Sequence, residues 1–328
     1  MPHPQPFISI VTPFFNEEAY LEECIRSVLG QSLTDFEYIL VDNHSSDRSM
    51  QIARDYASQD ARVRVVKPPE HLAQMPNHNF GLAQIARGST WCKIVQGDDW
   101  MFPNCLEQLV ALGQRFPSAG LISAYTLLEE VVYLTGLHPS EPFLPGREIA
   151  RRFLREGLYV TGSPTAHLIR ADLVRARQPY YTAASDPFSD TDACLWAFAR
   201  SDFAFAHQVL TFTRRTNVSI TTRRRAYTNT LLLVRYLGLL RHGAQFFSEE
   251  ELRDCLRQVS REYYRTLGVS FWRFLPRDFW NLQSNTLAAA GDHLSVARAG
   301  VQVLRVMCDT VLNPLDSIAR MTAHIRAR

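Results

Sequence analysis

The sequence predicts an α/β fold, a mostly parallel sheet covered by helices, followed by an all-helical C-terminal region. Over the first 125 residues, short β-rich apolar runs alternate with helix-length segments, as in a parallel sheet with crossover helices. From about residue 225 onward the pattern is helical throughout. A length of 328 residues with 46% hydrophobic and 21% charged residues suits a globular chain of two units, and excludes disordered, collagen-like and disulfide-dense classes.

Residues 7–12 read as the first strand. A helix follows, with Asn16 as N-cap, Glu17 and Glu18 in its first turn, and Leu21, Cys24, Ile25 and Val28 spaced to bury one face. Residues 36–41, 63–66, 91–95 and 120–124 are the next strands, with helices near 46–58, 76–87 and 103–115 between them. Residues 126–222 are less regular: a helix near 147–156, an extended stretch at 165–170, a loop rich in Pro, Asp and Ser at 178–192, a helix beginning near Ala193, and a strand at 203–212. Further on, Ser248-x-x-Glu251 is a capping box for a helix whose Leu252, Leu256, Val259, Tyr263 and Leu267 form one stripe, stopped by Gly268.

Charge divides the chain in the same place. The formal net charge is +2, yet residues 223–328 hold 16 Arg against 9 acids, a net of +7, and residues 1–222 carry a net of −5. The expected organisation is therefore an α/β region at 1–222, with halves 7–125 and 126–222, and a basic helical region at 223–328. Six scattered cysteines without a C-x-x-C pair, four of them (Cys24, Cys105, Cys255, Cys308) in helix-like apolar patterns, read as buried thiols in a reducing cytoplasm. The N-terminus lacks a basic and then apolar signal pattern. The most lipid-like run, 231–240, is about half the length of a membrane span and contains Arg235. The two lysines, Lys67 and Lys93, read as a compositional trait rather than a functional one.

Three acidic clusters stand where strands end or in a loop: residues 42–47, Gln96-Gly97-Asp98-Asp99-Trp100, and residues 185–192. In an open α/β sheet the carboxyl ends of neighbouring strands converge on one crevice. Asp98 and Asp99 repel each other unless a cation neutralises them, and oxygen-only donors on a turn suit Mn²⁺ or Mg²⁺ shared with substrate phosphates. The plainer alternative is a turn in which one of them caps the next helix, and residues 42–47 are ordinary turn formers. No G-x-G and no P-loop pattern occurs, so a Rossmann dinucleotide site and a P-loop are unsupported.

In this order and spacing the residues resemble the inverting family-2 glycosyltransferases of the GT-A fold. Residues 9–18 look like that family's S-V-I-x-P-x-Y-N-x-E signature, and residues 41–47 like its V-D-D-G-S-x-D segment. Asn79-x-Gly81 with Ala86-x-Gly88 looks like its N-x-G…A-x-G helix, and residues 96–100 occupy the slot of its D-x-D-like metal motif. The likeness covers residues 7–125 well and 160–217 more loosely. It implies a Rossmann-like nucleotide-diphospho-sugar transferase with Mn²⁺ or Mg²⁺ as cofactor and a UDP-sugar as favoured donor. The acceptor would be a hydroxyl on a saccharide or glycolipid, in surface polysaccharide or glycoconjugate synthesis.

Residue by residue, the resemblance places Thr12, Pro13 and Phe15 against the base, with Asn16 and Asn79 in the same donor site. Glu17 and Asp42 would contact base or ribose, Asp98 the ribose or metal, and Asp99 the metal that bridges the diphosphate. Phe15 keeps the ring of the family's usual Tyr without its hydroxyl. Asn43 stands where a second Asp is frequent and His44 where Gly is usual, so an amide that donates and accepts replaces a carboxylate that only accepts.

Inversion requires a carboxylate opposite the departing nucleoside diphosphate to take the acceptor's proton. In the family this is an Asp shortly before a helix with a Leu-Trp or similar pair. Asp192, ahead of Leu195-Trp196, is the first choice and Asp190 the second, with Asp186 left to the loop. Arg214 and Arg215 either close over the diphosphate and stabilise its charge or form a solvated pair in a turn. His207, inside an apolar strand pattern, reads as a core histidine.

Nothing in residues 225–328 reads as catalytic. Residues 271–280 mix aromatics with Arg, as interfacial segments do, and a net of +7 suits an anionic lipid surface or an acidic partner. The plainer reading packs these aromatics onto the catalytic region. Peripheral contact at the inner face of the membrane and a homo-oligomer through the C-terminal helices are the docking expectations; nucleic acid is not, since no reader motif occurs. The competing functional reading is a non-catalytic GT-A-like nucleotide-binding or scaffold module acting through the basic helices, against which the acids at the metal and base positions argue.

Overall fold

β1 (Ile8–Phe14) is buried along its whole length, as a strand covered on both faces must be. It runs parallel between β2 (Phe36–Asp42) and β4 (Trp91–Ile94), and β3 (Val63–Val66) extends the parallel set beyond β2. Pro13 is tolerated in this central strand because pairing with β4 ends at Val11, so no ladder bond is missing on that side. β6 (Ala119–Leu128) and β10 (Asp202–Thr213) form a second parallel pair. β9 (His167–Arg170) joins the two halves, antiparallel to both β4 and β6. The full order is β3-β2-β1-β4-β9-β6-β10-β5, with β5 (Trp100–Met101) antiparallel to β10; β7 (Val131–Tyr133) pairs with β6 and β8 (Phe143–Leu144) with β10. The computed structural model describes residues 8–182, 188–215, 230–272, 275 and 277–312. Contacts group into two units, residues 1–219 and 220–328.

In the first unit, α1 (Leu21–Leu29), α2 (Ser49–Gln59), α3 (Gln74–Leu82), α4 (Cys105–Arg115), α5 (Gly146–Glu156), α6 (Ala171–Ala176) and α7 (Ser189–Phe198) connect the strands. α1 buries Leu21, Cys24, Ile25 and Val28, as its spacing predicts, in one core with Ile8, Ile10, Tyr38 and Leu40. α3 approaches the alternate residues of the same strands. A Cβ on its Gly81 would stand 2.5 Å from Val11 Cγ1 and 2.9 Å from Val41 Cγ2, so only glycine fits.

Three boundaries differ from the expectation. Asn16 does not cap a helix: it is left-handed, φ 55°, and α1 starts at Leu21 after a turn in which the Glu17 carbonyl accepts from the amides of Tyr20 and Leu21. The stretch expected as loop to residue 192 is already helical from Ser189, so Asp190 and Asp192 lie in the first turn of α7. Gly268 does not stop its helix, for a reason that lies in the second unit.

That unit contains α8 (Thr230–Phe246), α9 (Glu249–Trp272), α10 (Arg277–Ala289) and α11 (Val296–Leu312). The capping box forms at α9: the Glu251 amide donates to Ser248 Oγ (3.3 Å) and the Ser248 amide to Glu251 Oε2 (3.0 Å). α9 continues through Gly268 because α11 crosses there, and a Cβ would meet the Gln302 backbone carbon at 2.9 Å. Tyr263 of α9 donates to Gln283 of α10 (2.8 Å). All six cysteines are free; Cys24, Cys92, Cys105, Cys194 and Cys255 are buried, but Cys308 is exposed, correcting its expected burial. Among the described residues, no helix is long and apolar enough to cross a membrane.

Candidate active site

The chemistry gathers where β1, β2 and β4 end, and the loops there are sewn together by reciprocal bonds. Asn16 Oδ1 accepts from the Ser46 amide (2.8 Å), and the Glu17 amide donates to Ser49 Oγ (2.8 Å). The Glu18 amide donates to Asp47 Oδ2, while Glu18 Oε2 accepts from the Arg48 amide (both 3.0 Å). Gly97 lets the β4 loop close on this pair, since a Cβ would lie 3.0 Å from Phe14 Cβ and 3.3 Å from Glu17 Cγ. Burial, then the charges of Asp98 and Asp47, push the Glu17 carboxyl up to about 7.

The residues that depart from the family pattern have a shared task. The Asn43 amide donates to the Leu72 carbonyl (2.8 Å) and accepts from the Leu72 amide (2.9 Å), a pairing a carboxylate could not complete. His44 is left-handed, φ 65°, which explains the usual Gly, and its Nε2 lies 2.9 Å from the Pro68 carbonyl. His71 Nδ1 lies 2.9 Å from the Asn43 carbonyl, and its ring packs at 4.6 Å against the half-exposed Phe15 ring. Together they pin residues 67–72 over the end of β2. Asp42 is fully buried; its Oδ1 accepts from the Ser45 amide (2.9 Å), and Oδ2, buried without a hydrogen bond, stands 3.6 Å from Lys67 Nζ. Thr12 turns its hydroxyl into the core, 2.9 Å from the Tyr38 hydroxyl, and Pro13 is buried beside it.

Asp99 is buried, 2% exposed, and both oxygens are held: Oδ2 by the Thr165 hydroxyl (2.6 Å) and Oδ1 by the Arg214 amide (3.0 Å). Burial and the adjacent Asp98 charge push its carboxyl up to about 8; burial also raises Asp98. Under them, Lys93 is wholly buried in β4, its ammonium donating to the Thr165 and His167 carbonyls, and burial lowers it to about 8 against the pull of Asp99. The Arg214 guanidinium donates to the Asp98 carbonyl (3.1 Å) and Glu23 (2.6 Å) and lies 4.4 Å over the Tyr20 ring. Arg215 is exposed, its amide bonded to Glu129. Adjacent oxygen-only carboxylates, both disfavoured as anions by burial, fit a hard divalent cation. Among the described residues no group of three or more ligating side chains could hold a metal, so substrate oxygens would have to complete the shell.

On the other side of Thr165, Tyr159 hydrogen-bonds the Gly162 carbonyl (3.2 Å) and feels the charge of Asp190, linking this segment to α7. Asn79 of α3 holds the chain that leads there: its amide donates to the Tyr181 carbonyl (2.7 Å) and accepts from the Tyr181 amide (2.8 Å). Asp192 forms a buried ion pair with Arg177 (2.5 Å) and accepts from Thr182 (3.4 Å). Half-buried Asp190 accepts from the Thr191 amide (2.7 Å) in the first turn of α7. Residues two apart on a helix project roughly 200° apart, so the two acids face different surroundings. Asp186 lies outside the described residues. His207 sits in the sheet with its Nδ1 2.9 Å from the Tyr125 hydroxyl, but it is half-buried at the edge of the core rather than inside it, correcting the core-histidine expectation.

The family model described as Glycosyl transferase family 2 matches residues 9–177, just over half of the sequence. The chain belongs to glycosyl transferase family 2. The match contains the β1, β2, α3 and β4 features of this family-2 chain and ends before Asp190. Among similar proteins, the glycosyltransferase EpsJ of Bacillus subtilis (strain 168) is 42% identical over 107 residues, 32% of this chain and 29% of that protein. Glycosyltransferase GlyG of Streptococcus pneumoniae serotype 4 is 30% identical over 174 residues, 51% of this chain and 57% of that protein. The chain therefore spans less than two thirds of either relative. Residues 1–349 of S. aureus TarS, solved with UDP-GlcNAc, share the fold at a TM-score of 0.63 and 16% identity, over 86% of this chain and 80% of that one.

Sequence reasoning missed Lys93, Thr165, Arg177, Lys67 and His71. For the lysines a signal existed: the sequence has only two, one inside the apolar strand Trp91–Ile94 and one just past β3, and both stand by site carboxylates. Thr165, Arg177 and His71 carry no such mark.

Proposed function

We propose that this chain transfers a sugar, with inversion, from a nucleotide-diphosphate sugar to a hydroxyl acceptor. The carrying observation is the adjacent pair of half-buried Asp98 and buried Asp99, whose raised carboxyls a divalent cation would relieve. Asp98 and Asp99 would hold Mn²⁺ or Mg²⁺, which when bound supplies positive charge to the leaving diphosphate. Arg214, fixed against the same turn, adds a cation that needs no ordering. The half-exposed Phe15 ring and its His71 neighbour offer a face for the nucleoside, and Asp42 with Lys67 a polar pair at its edge. A uridine donor is the favoured member of the class, in keeping with the UDP-GlcNAc bound to TarS.

Asp190 rather than Asp192 is our choice for the general base. The Asp192 carboxylate is engaged by the Arg177 guanidinium and the Thr182 hydroxyl, which commits it to holding the segment that leads into α7. The acceptor is a saccharide or glycolipid hydroxyl, presented at the cytoplasmic side for surface polysaccharide or glycoconjugate synthesis. Calorimetry with UDP-, GDP- and dTDP-sugars, with and without Mn²⁺, tests the proposal. UDP-sugar binding should require Mn²⁺ and disappear in Asp99→Ala. If no nucleotide sugar bound the intact chain, the non-catalytic module would be the better description.

A further inference from the structure

Of the twelve large apolar side chains exposed among the described residues, five lie on α11: Val296, Val301, Leu304, Met307 and Leu312, each between 47% and 81% exposed. At roughly 100° per residue they project over one side of the helix, with Ala297, Gly300 and Cys308 filling the gaps. The other side carries Ala299, Gln302, Val303 and Val306, all half-buried, and meets Gly268 of α9 at Gln302. α11 is thus apolar on its packed side and on its open side, a pattern ordinarily found in enclosed helices.

Arg298 and Arg305, seven residues apart, run along one border of the open side, against a single acid in the helix, Asp309. At the end of α9, Phe271 and Trp272 are both exposed and pack edge to face, and the Trp272 indole donates to the Val303 carbonyl (3.4 Å). An aromatic pair therefore adjoins the aliphatic stripe. A second copy packed antiparallel on this stripe would bring the two arginine borders together, whereas an anionic surface complements them.

We infer that α11, with Phe271 and Trp272, is a docking face for an anionic phospholipid bilayer. The helix lies in the interface plane, its open side in the acyl boundary and Arg298, Arg305 and Trp272 at the headgroups. The inference is independent of the donor-site reading.

Flotation of the full chain with vesicles of phosphatidylcholine, alone or mixed with phosphatidylglycerol, tests it. Binding should occur on the mixed vesicles, weaken with salt, and be near absent on phosphatidylcholine alone. Leu304→Glu with Met307→Glu should lower it by at least about tenfold, and Arg298→Gln with Arg305→Gln should reduce the salt-sensitive part. Unchanged far-ultraviolet dichroism and nucleotide binding would show that the variants fold. Equal binding to neutral vesicles, wild-type binding by the Leu304/Met307 variant, or no vesicle binding together with a dimer that this variant dissociates would each overturn the inference, the last in favour of self-association.

Discussion

Glu17, Asp98 and Asp99 share one crevice, and burial raises all three carboxyls, Glu17 to about 7 and Asp99 to about 8. A carboxyl with a folded value above its unfolded one keeps its proton better in the native state. Between the two values the native chain binds more protons than the unfolded chain, so stability falls as pH rises through that window. Lys93 acts in a higher window: its folded value of about 8 lies below its ordinary 10.5, so its contribution recovers as pH rises from one to the other. Without metal, the melting temperature should drop between pH 5 and pH 8 by at least about 2 °C, the shift expected of roughly 1 kcal/mol in a domain of this size. Asp99→Asn should flatten that slope, and Mn²⁺ should raise the melting temperature more at pH 8 than at pH 5. A melting temperature that rose with pH would contradict the upward shift of these acids by burial. The two α7 acids separate by a different measurement. Asp190→Asn should lower kcat by about 10²- to 10⁴-fold with donor affinity unchanged. Asp192→Asn should instead cost about 3 kcal/mol of stability by leaving Arg177 unpaired. If Asp192→Asn lost turnover at an unchanged melting temperature, the roles would be reversed.

At the scale of elements, α3 is held on the sheet by a glycine and holds the segment that leads to α7 by an amide. Gly81→Ala should destabilise by about 1–3 kcal/mol through the clash with Val11 and Val41, and Val11→Ala should restore part of it. Asn79→Ala should reduce kcat while leaving donor affinity intact, because Asn79 fixes Tyr181, eight residues before α7 begins, and touches the donor loops through no bond of its own side chain among those described. Steady-state kinetics beside direct UDP titration would separate the two effects. The longer strands were legible because each is an apolar-rich run, and β3 matches its expected bounds residue for residue, whereas the short β5, β7 and β8 were not legible. Helix starts were less so. Asn16 has the right chemistry for an N-cap, but its amide is committed to Ser46 from the neighbouring loop, and a residue 30 positions away is invisible to local pattern.

At the scale of the molecule, the net charge changes sign along the chain, −5 over residues 1–222 and +7 over residues 223–328, and every residue assigned to the donor site lies between Thr12 and Arg215. Hydrogen exchange on the full chain should therefore show UDP-dependent protection in residues 8–215 and none in residues 230–312. Protection concentrated in α8 to α11 would move the donor site. The motifs that identify the family were readable as sequence because they are contiguous turns following strands, where a few residue types satisfy the geometry. By itself the sequence determined the α/β front, the helical tail, the family and the acids at the ends of β2 and β4, all of which rest on local periodicity and short motifs. Only the tertiary structure decided that Asn43 serves Leu72, that Asn79 serves Tyr181, that Lys93 and Thr165 support Asp99, and that Arg177 takes Asp192. Each of these joins residues distant in sequence, and a side chain's partner is set by which chain segments the packed sheet brings within hydrogen-bond reach.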